Sequence, residues 1–463
     1  MTSYTFLHLL LPLLVLLFSS HEVEKRCAWG RMMVNHEEHD KHVVDMKPLT
    51  AATTCKGQAK GHGLTLAHRQ GPCSPLAANR QSRDSRLVFL RDQSRVNSMN
   101  IQGPSRALPN GDYGEHAQLP IQGGSPGTGE FVVTVGLGTP KVDLPLIFDT
   151  GSDITWAKCK PCPSCSGQQG RLFEPSESTT FSNPPCNSSE CTYSIDYADG
   201  SHSDGYYVQD LLTLTPEYQF QSFIFGCSQS YSDDFGATAG VLGLGQGDNT
   251  LISRIESEFS NIFCYCIPGS ESSSGYLLFG LKALSTCQTN KITPLIIDQD
   301  NPSYYFVNLL GIAVGNQTVS LSSESSTPRT VIDSGTTITR LPPSIYKAVR
   351  AEFVEYMSTY RVAKPLTQLL DTCYDLRGQE NVKLPKMILQ FENTDVTLDP
   401  SAVVWRENDD AQVCLAFAPN LPNSPNSESQ NLVIIGNAQL RNLNVLYNIQ
   451  DKEFHFGKGG CGN

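Results

Sequence analysis

Long hydrophobic runs are almost absent from this sequence of 463 residues. The one exception spans residues 6–18, which is too short for an ordinary membrane span and typical of a secretory signal peptide. We therefore expect residues 1–20 to be a signal peptide, with an N-terminal anchor as the alternative. The mature protein is expected to have no membrane contact, and its destination is the extracellular space or apoplast, with the vacuole and the plastid as alternatives.

Two further observations each argue against a class of protein. The Gly-x-Ser-x-Gly match at residues 123–127 lies in a Pro- and Gly-rich boundary run rather than at the strand-to-helix turn of a nucleophile elbow, which disfavours a serine hydrolase. Residues 121–463 contain no run of Lys or Arg, and they hold 20 Lys or Arg against 36 Asp or Glu. Because an acidic body repels polyphosphate backbones, nucleic acid is not an expected partner.

Helical patterns are also scarce, the clearest being residues 344–356. From residue 130 onward the sequence consists of short β-type segments separated by turns, at residues 131–135, 144–148, 206–208, 219–225 and 275–279. This spacing predicts an all-β architecture of twisted sheets or barrels.

One short pattern occurs twice, and the two copies lie 184 residues apart. Residues 146–152 and 330–336 each run an apolar, strand-like segment into a carboxylate, a small hydroxyl residue, a glycine and a second hydroxyl residue. An ionised carboxylate at the end of a buried strand is costly unless donors surround it, and both copies supply such donors. The repeat predicts two halves of one site, centred on Asp149 and Asp333.

A second signal follows each copy at a similar interval. An apolar-apolar-Gly pattern ends at Gly243, 94 residues after Asp149, and another ends at Gly436, 103 residues after Asp333. Two homologous lobes with different insertions would produce these intervals.

Two carboxylates a few ångströms apart cannot both ionise cheaply, so the pair shares one proton. The ionised partner can take a proton from a water that attacks a peptide carbonyl, while the protonated partner binds the carbonyl oxygen. This chemistry needs no metal and no cofactor, and it favours acidic pH. A single Asp-Thr-Gly is more often a strand-end turn, and it is the repeat that favours a catalytic pair.

Residues 21–120 differ in charge from the body, with 14 Lys or Arg against 10 Asp or Glu. Residues 85–96 are the best helix candidate, with Leu87, Leu90, Arg91 and Ser94 on one side. The segment is either a solvated linker or a basic pro-segment that covers an acidic cleft until low pH weakens the contact.

Twelve of the fifteen cysteines lie in the body, which permits up to six disulfides in an oxidising compartment. We expect at least one of the five cysteines in residues 159–191 to pair outside that segment, and we predict a bridge from Cys264 to one of them. A zinc knuckle is the alternative there, but no His lies nearby. The candidates are Cys159, Cys162, Cys165, Cys186, Cys191, Cys227, Cys264, Cys266, Cys287, Cys373, Cys414 and Cys461.

Two sequons, at Asn187 and Asn316, are candidate glycosylation sites if the chain enters the secretory pathway.

Together these motifs resemble the pepsin-like aspartic endopeptidases (family A1). The two Asp motifs, Trp156 and the Tyr-Ala-Asp-Gly-Ser run at residues 197–201 carry the resemblance. The cysteine-rich insert is similar to that of the plant nepenthesin-like branch. Residues 68–75 and 135–140 resemble the subgroup named after a chloroplast nucleoid DNA-binding aspartic protease.

The resemblance implies a bilobal pepsin-like fold made of two β lobes related by a pseudo-two-fold axis, with few short helices. It implies a pro-segment at residues 21–124, an N-terminal lobe at 125–300 and a C-terminal lobe at 301–463. The implied partners of this monomer are protein or peptide substrates and its own pro-segment. The implied catalytic pair is Asp149 and Asp333, supported by Thr150, Gly151, Ser152, Ser334, Gly335 and Thr336, with Tyr197, Asp199, Gly200 and Trp156 at a flap over the substrate.

The leading hypothesis is therefore an acid endopeptidase made as a zymogen. A catalytically inactive, protease-like inhibitor is the first alternative, and intact Asp motifs in both lobes argue against it. A nucleic-acid-binding protein is the second, suggested only by the subgroup's name.

Overall fold

The computed structural model describes residues 40–45, 54–56, 63–79, 85–101, 131–162, 170–184, 191–197, 201–247, 250–321, 327–406, 411–421, 431–459 and 461. Within these ranges the chain is mostly β-strand. The strands are β1 Lys41–Asp45, β2 Leu64–His68, β3 Phe131–Leu137, β4 Val142–Asp149, β5 Trp156–Lys158, β6 Thr192–Asp196, β7 His202–Thr215, β8 Tyr218–Tyr231, β9 Gly240–Gly243, β10 Ile262–Cys266, β11 Ser274–Phe279, β12 Ile292–Pro294, β13 Phe306–Val307, β14 Leu309–Val314, β15 Gln317–Ser320, β16 Arg329–Ile332, β17 Thr339–Leu341, β18 Arg361–Ala363, β19 Cys373–Asp375, β20 Asn381–Pro385, β21 Met387–Phe391, β22 Thr394–Thr397, β23 Val404–Arg406, β24 Gln412–Leu415, β25 Phe417–Pro419, β26 Leu432–Ile435, β27 Leu443–Asn448 and β28 Glu453–Lys458.

The helices are short, apart from two. They are α1 Ser85–Ile101, α2 Leu251–Arg254, α3 Glu256–Phe259, α4 Gly280–Cys287, α5 Pro343–Tyr356 and α6 Pro400–Val403, with 3-10 turns at Ala77–Asn79, Pro175–Glu177 and Asp233–Phe235. Helix α5 begins with a proline, whose fixed φ suits a first helical turn. It buries Tyr346, Val349 and Phe353, which lie on one face at helical spacing.

One large sheet of thirteen strands connects the two ends of the chain, in the order β12-β28-β27-β10-β11-β2-β3-β4-β9-β5-β8-β7-β6. An additional pairing of β3 with β7 curls part of it into a closed structure. Strand β2 comes from the region before residue 121, yet it pairs with β11 on one side and β3 on the other. This strand is therefore built into the core of the fold.

Three smaller sheets form most of the C-terminal half. Their strand orders are β13-β16-β26-β17-β25, β15-β14-β21-β22 and β18-β19-β24-β23. Strand β1, from the region before residue 121, pairs with β20 in a two-stranded sheet. Thus both halves of the body receive a strand from that region.

The internal two-fold inferred from the sequence has a direct structural counterpart. Strand β4, which ends at Asp149, lies parallel to β9, and β16, which precedes Asp333, lies parallel to β26. Each carboxylate strand therefore pairs with the apolar-apolar-Gly strand of its own half. A parallel strand that is buried on both faces is expected to have consecutive apolar residues, as these strands do.

The predicted all-β class is confirmed, and each of the five predicted β segments lies within an observed strand. The helix predicted over residues 344–356 corresponds to α5, and the one predicted over residues 85–96 is the first part of α1. On α1, however, Leu87 and Leu90 are exposed, and a different face, which includes Phe89 and Val96, is buried.

Five disulfides are resolved among the described residues: Cys55–Cys73, Cys159–Cys227, Cys264–Cys287, Cys266–Cys461 and Cys373–Cys414. Cys162 and Cys191 are also disulfide-bonded. As expected, one insert cysteine, Cys159, pairs outside residues 159–191.

The predicted bridge from Cys264 to an insert cysteine is wrong. Cys264 lies on β10 and bonds to Cys287, the last residue of α4, which packs against β10. The insert follows β5, and five strands separate β5 from β10 in the large sheet. Cys159, the insert cysteine next to β5, bonds instead to Cys227 of β8, the strand that lies beside β5.

Several predictions fall outside the described residues. They concern the signal peptide, the boundary near residue 124, Cys165, Cys186, the sequon at Asn187, and Asp199 and Gly200 of the predicted flap. Asn316 is described, and it is exposed on the turn between β14 and β15. No helix in the described part of the chain is long and apolar enough to cross a membrane.

Candidate active site

The first carboxylate of the repeat is held by the residues that follow it. Asp149 is the last residue of β4 and is fully buried. Its Oδ1 accepts a hydrogen bond from the amide of Gly151 at 3.0 Å, and its Oδ2 accepts one from the hydroxyl of Ser152 at 2.5 Å. Donors at both oxygens offset the cost of burying the charge.

The second carboxylate repeats this arrangement in the other lobe. Asp333 follows β16 and is also fully buried. Its Oδ1 accepts from the amide of Gly335 at 3.1 Å, and its Oδ2 accepts from the hydroxyl of Thr336 at 2.5 Å. The two motifs are therefore equivalent in geometry as well as in sequence.

Reciprocal hydrogen bonds tie the two motifs together. The amide of Thr150 donates to the hydroxyl oxygen of Ser334 at 3.0 Å, and the amide of Ser334 donates to that of Thr150, also at 3.0 Å. All four groups are buried. This pair of bonds fixes the distance between the two carboxylates.

The space between the carboxylates is filled by Arg95 of α1, which is fully buried. Its Nε and Nη2 donate to Asp333 at 2.7 Å each, and its Nη1 and Nη2 donate to Asp149 at 3.0 and 2.7 Å. A guanidinium is a planar fork that matches carboxylate geometry. One arginine therefore satisfies both acids at once.

A single atom, Nη2 of Arg95, lies 2.7 Å from Oδ1 of Asp149 and 2.7 Å from Oδ1 of Asp333. The gap between the two inner oxygens therefore fits one water-sized polar group that touches both. Glycine at positions 151 and 335 leaves this space open, because a Cβ atom at either position would collide with the Arg95 guanidinium.

Arg95 keeps its charge although it is fully buried. Burial alone would lower its pKa, but Asp149 and Asp333 raise the pKa well above its ordinary value. The two carboxylates therefore stabilise the charged guanidinium that lies between them.

A second ion pair joins α1 to the C-terminal lobe. Arg340 of β17 is fully buried and donates to Oδ2 of Asp92 through Nε at 3.1 Å and Nη2 at 2.6 Å. The amide of Thr337 donates to the other oxygen of Asp92 at 2.5 Å. Burial raises the pKa of the Asp92 carboxyl group, while Arg340 and Thr337 oppose that shift.

Apolar residues of α1 complete its contact with the body. Phe89 packs edge-on against Trp405, with ring centroids 5.0 Å apart, in a cluster of C-terminal residues. Val96 and Met99 pack with Tyr304 and neighbouring residues. Helix α1 therefore occupies the cleft, where both ion pairs and apolar packing hold it.

Tyr197 directly follows the last residue of β6. Its hydroxyl oxygen accepts a hydrogen bond from Nε1 of Trp156 at 2.8 Å, and both side chains are buried. Burial raises the pKa of the Tyr197 hydroxyl group well above its ordinary value, so it stays protonated.

The structure thus brings together both Asp motifs, and it links Trp156 to Tyr197. Sequence reasoning missed Arg95, Asp92 and Arg340. The available signal was an acid and a base spaced i, i+3 on a predicted helix, together with a lone arginine in an otherwise uncharged run after Asp333. In the part of the chain that the structure describes, no group of three or more His, Cys, Asp or Glu residues could hold a metal ion.

Comparison with known proteins gives consistent matches. Family models described as the xylanase inhibitor N-terminal and C-terminal domains match residues 131–281 and 304–458. An aspartyl protease family protein of Arabidopsis thaliana is 36% identical over 453 residues, covering 92% of this chain and 94% of the relative. The aspartic proteinase nepenthesin-1 of Nepenthes gracilis is 30% identical, covering 73% of this chain and 79% of the relative.

Among solved structures, the basic 7S globulin of soybean superposes with a TM-score of 0.56 at 18% identity, covering 72% of this chain and 95% of that one. At that identity the match supports the fold alone. It confirms the bilobal arrangement of β lobes.

Proposed function

The chain belongs to the pepsin-like aspartic protease family, and on that premise we propose that it is an acid endopeptidase made as an inactive precursor. In this proposal Asp149 and Asp333 are the catalytic pair, and residues 21–124 are the pro-segment. Cleavage near residue 124 separates the pro-segment from the lobes at residues 125–300 and 301–463.

One observation carries the proposal: Nη2 of Arg95 is hydrogen-bonded to the inner oxygens of both carboxylates. When α1 leaves the cleft, a water molecule in the same place would contact Asp149 and Asp333 together. Two adjacent carboxylates then hold one proton between them. This supplies a base and an acid on either side of one bound water.

The reaction follows from that arrangement. The ionised carboxylate takes a proton from the water as its oxygen attacks the peptide carbonyl carbon, and the protonated carboxyl group donates to the carbonyl oxygen. The tetrahedral intermediate then collapses, the C–N bond breaks and the leaving nitrogen takes a proton from the pair. Ser152 and Thr336 hold the outer oxygens in place, and no covalent intermediate is formed.

Tyr197 and Trp156 are proposed to support a flap. The amide of Tyr197 donates a hydrogen bond to the carbonyl of Ser201 at 2.8 Å, beyond the paired ends of β6 and β7. The Trp156–Tyr197 hydrogen bond links Tyr197 to β5, which lies next to β9 in the same sheet. Asp199 and Gly200 are expected to form the tip.

We expect α1 to leave the cleft as the pH falls. The two acids raise the pKa of Arg95, so its charge persists as the pH falls, whereas acid neutralises carboxylates in general; we therefore expect the docked state to be stable at neutral pH and to be lost in acid. Hydrogen exchange of residues 85–101, corrected for intrinsic rates and measured before cleavage begins, should be at least about tenfold faster at pH ~4 than at pH ~7. Exchange in α5 serves as the control, and equal protection of α1 at both pH values would contradict the prediction.

The proposed function is tested with the full chain. It is incubated at pH ~4, the new N-terminus is sequenced, and the product is mixed with a denatured protein. We expect new peptides that appear at acidic pH and disappear when a pepstatin-like inhibitor is added. A chain that has lost residues 21–124 and still cleaves nothing between pH ~3 and ~7 would refute the proposal.

A protease-like inhibitor without activity is the competing function, since the matching family models are described as xylanase inhibitor domains. Both Asp motifs keep every supporting hydrogen bond described above, which favours the enzyme. The proposed substrates are proteins or peptides, and the proposed route is the secretory pathway.

A further inference from the structure

We propose that Arg340 and the amide of Thr337 form a subsite that binds an acidic side chain of the substrate. The inference rests on the proposed function and extends it to substrate preference. It begins from the Asp92–Arg340 ion pair, which the catalytic scheme does not use.

Every acceptor found for the Arg340 side chain among the described residues lies on α1. Nε and Nη2 donate to Asp92, and Nη1 donates to the side-chain oxygen of Gln93 at 3.0 Å. Loss of the pro-segment therefore removes all of these acceptors. Arg340 is fully buried with α1 in place, and once α1 has left, an anion bound in the cleft would replace the counter-charge that Asp92 supplies.

The site around Arg340 is shaped for a carboxylate. Arg340 approaches one oxygen of Asp92 with two nitrogens, and the amide of Thr337 donates to the other oxygen. Charge-assisted bonds from a fixed fork and a backbone amide define the position of the carboxylate closely. Because β17 is hydrogen-bonded between β25 and β26, Arg340 is held on a rigid element.

The subsite lies close to the catalytic pair. Thr337 is four residues after Asp333, and Asp92 precedes Arg95 by three residues on α1. Three residues of helix rise about 4.5 Å, whereas an extended peptide advances about 3.3 Å per residue. An acidic side chain within about two residues of the scissile bond would therefore reach Arg340.

Helix α1 supplies a copy of the preferred ligand. Arg95 blocks the catalytic pair, and Asp92 presents the carboxylate that a substrate would present. An aspartate or glutamate side chain is the chemical class that fits, and an uncharged amide of the same shape would leave the guanidinium without its counter-charge.

The test compares matched peptides with the processed wild-type enzyme at pH ~5, where most aspartate is ionised. Each set carries Asp, Asn or cysteic acid at one position, within two residues of a fixed cleavage site. We expect kcat/KM at one position to favour Asp and cysteic acid over Asn by about ten- to a hundredfold, the range of a hydrogen-bonded charge pair. Cysteic acid is fully ionised at this pH, so it shows whether the subsite selects a negatively charged side chain other than a carboxylate.

Variants then assign the preference to Arg340. In Arg340→Met the ratio of acidic to amide peptides should fall to about one, and Arg340→Lys should keep part of it. Arg361→Met, which removes an exposed arginine of β18, is the matched control and should keep the full ratio. Thermal unfolding of each variant checks that it is folded.

The outcomes separate the two claims. If the enzyme cleaves the Asn peptides and shows no preference for acid at any position, or if folded Arg340→Met keeps the full ratio, this inference is overturned while the proposed function stands. If no peptide in any set is cleaved, the proposed function fails and this inference fails with it.

Discussion

Replacing Arg95 with methionine should make the uncleaved chain active. Breaking a buried ion pair by removing one partner costs about 3–5 kcal/mol, which corresponds to a change of at least about a hundredfold in the ratio of docked to open cleft. Peptide hydrolysis by full-length Arg95→Met, measured before any cleavage of the chain is detected, should exceed that of the wild type by a similar factor. Arg95→Lys should lie between the two, because it keeps the charge and loses the fork.

The matched control for this prediction is Arg86→Met, because Arg86 is exposed and lies nine residues earlier on the same helix. It should leave the chain as latent as the wild type. If uncleaved Arg95→Met hydrolyses peptides no faster than the uncleaved wild type, then Arg95 does not block the active site.

Replacing either acid with asparagine should nearly abolish peptide hydrolysis by the processed enzyme. A positioned acid or base contributes about 10²–10⁴-fold to a rate, and either replacement removes the shared proton on which both roles depend. We expect kcat/KM to fall at least about 10³-fold in Asp149→Asn and in Asp333→Asn. Asparagine has nearly the same shape as aspartate, so the Thr150–Ser334 bonds should persist.

Asp395→Asn is the control here, since Asp395 is exposed on β22, and its kcat/KM should match that of the wild type. Retention of more than about a tenth of wild-type activity by either active-site variant, at equal folding, would exclude the two-acid mechanism.

Much of the fold could be predicted because its signals are local. Alternating and continuous apolar runs indicated the strands, and the repeated carboxylate motif with its later glycine indicated two equivalent lobes. The structure pairs β4 with β9 and β16 with β26 in parallel. Each carboxylate motif therefore lies beside the apolar-apolar-Gly strand of its own lobe.

The contacts of α1 could not be read in the same way. The helix itself follows from residues 85–96, but its buried face depends on a cleft formed by residues between 54 and more than 200 positions away along the chain. Leu87 and Leu90 are exposed at 50% and 64%. The charged Asp92 and Arg95 are buried because side chains of opposite charge in the cleft bind them. Apolar periodicity gives no information about such a face.

The error at Cys264 has a related origin. Cysteine counting gave the number of partners and not their distances. The strand order decides the pairing, since β10 lies next to α4 and far from the insert. Only the three-dimensional arrangement contains that information.

The central claim is that one acid from each lobe holds a single small polar group. Calorimetric binding of a transition-state mimic tests this claim most directly. A pepstatin-like inhibitor, whose hydroxyl group takes the place of the bound water, should bind the processed wild type at pH ~4 with one molecule per chain. Binding should weaken at least about a hundredfold in Asp149→Asn and equally in Asp333→Asn, and the uncleaved chain should not bind it at neutral pH. Undiminished binding to either variant would show that the two carboxylates do not act in one site.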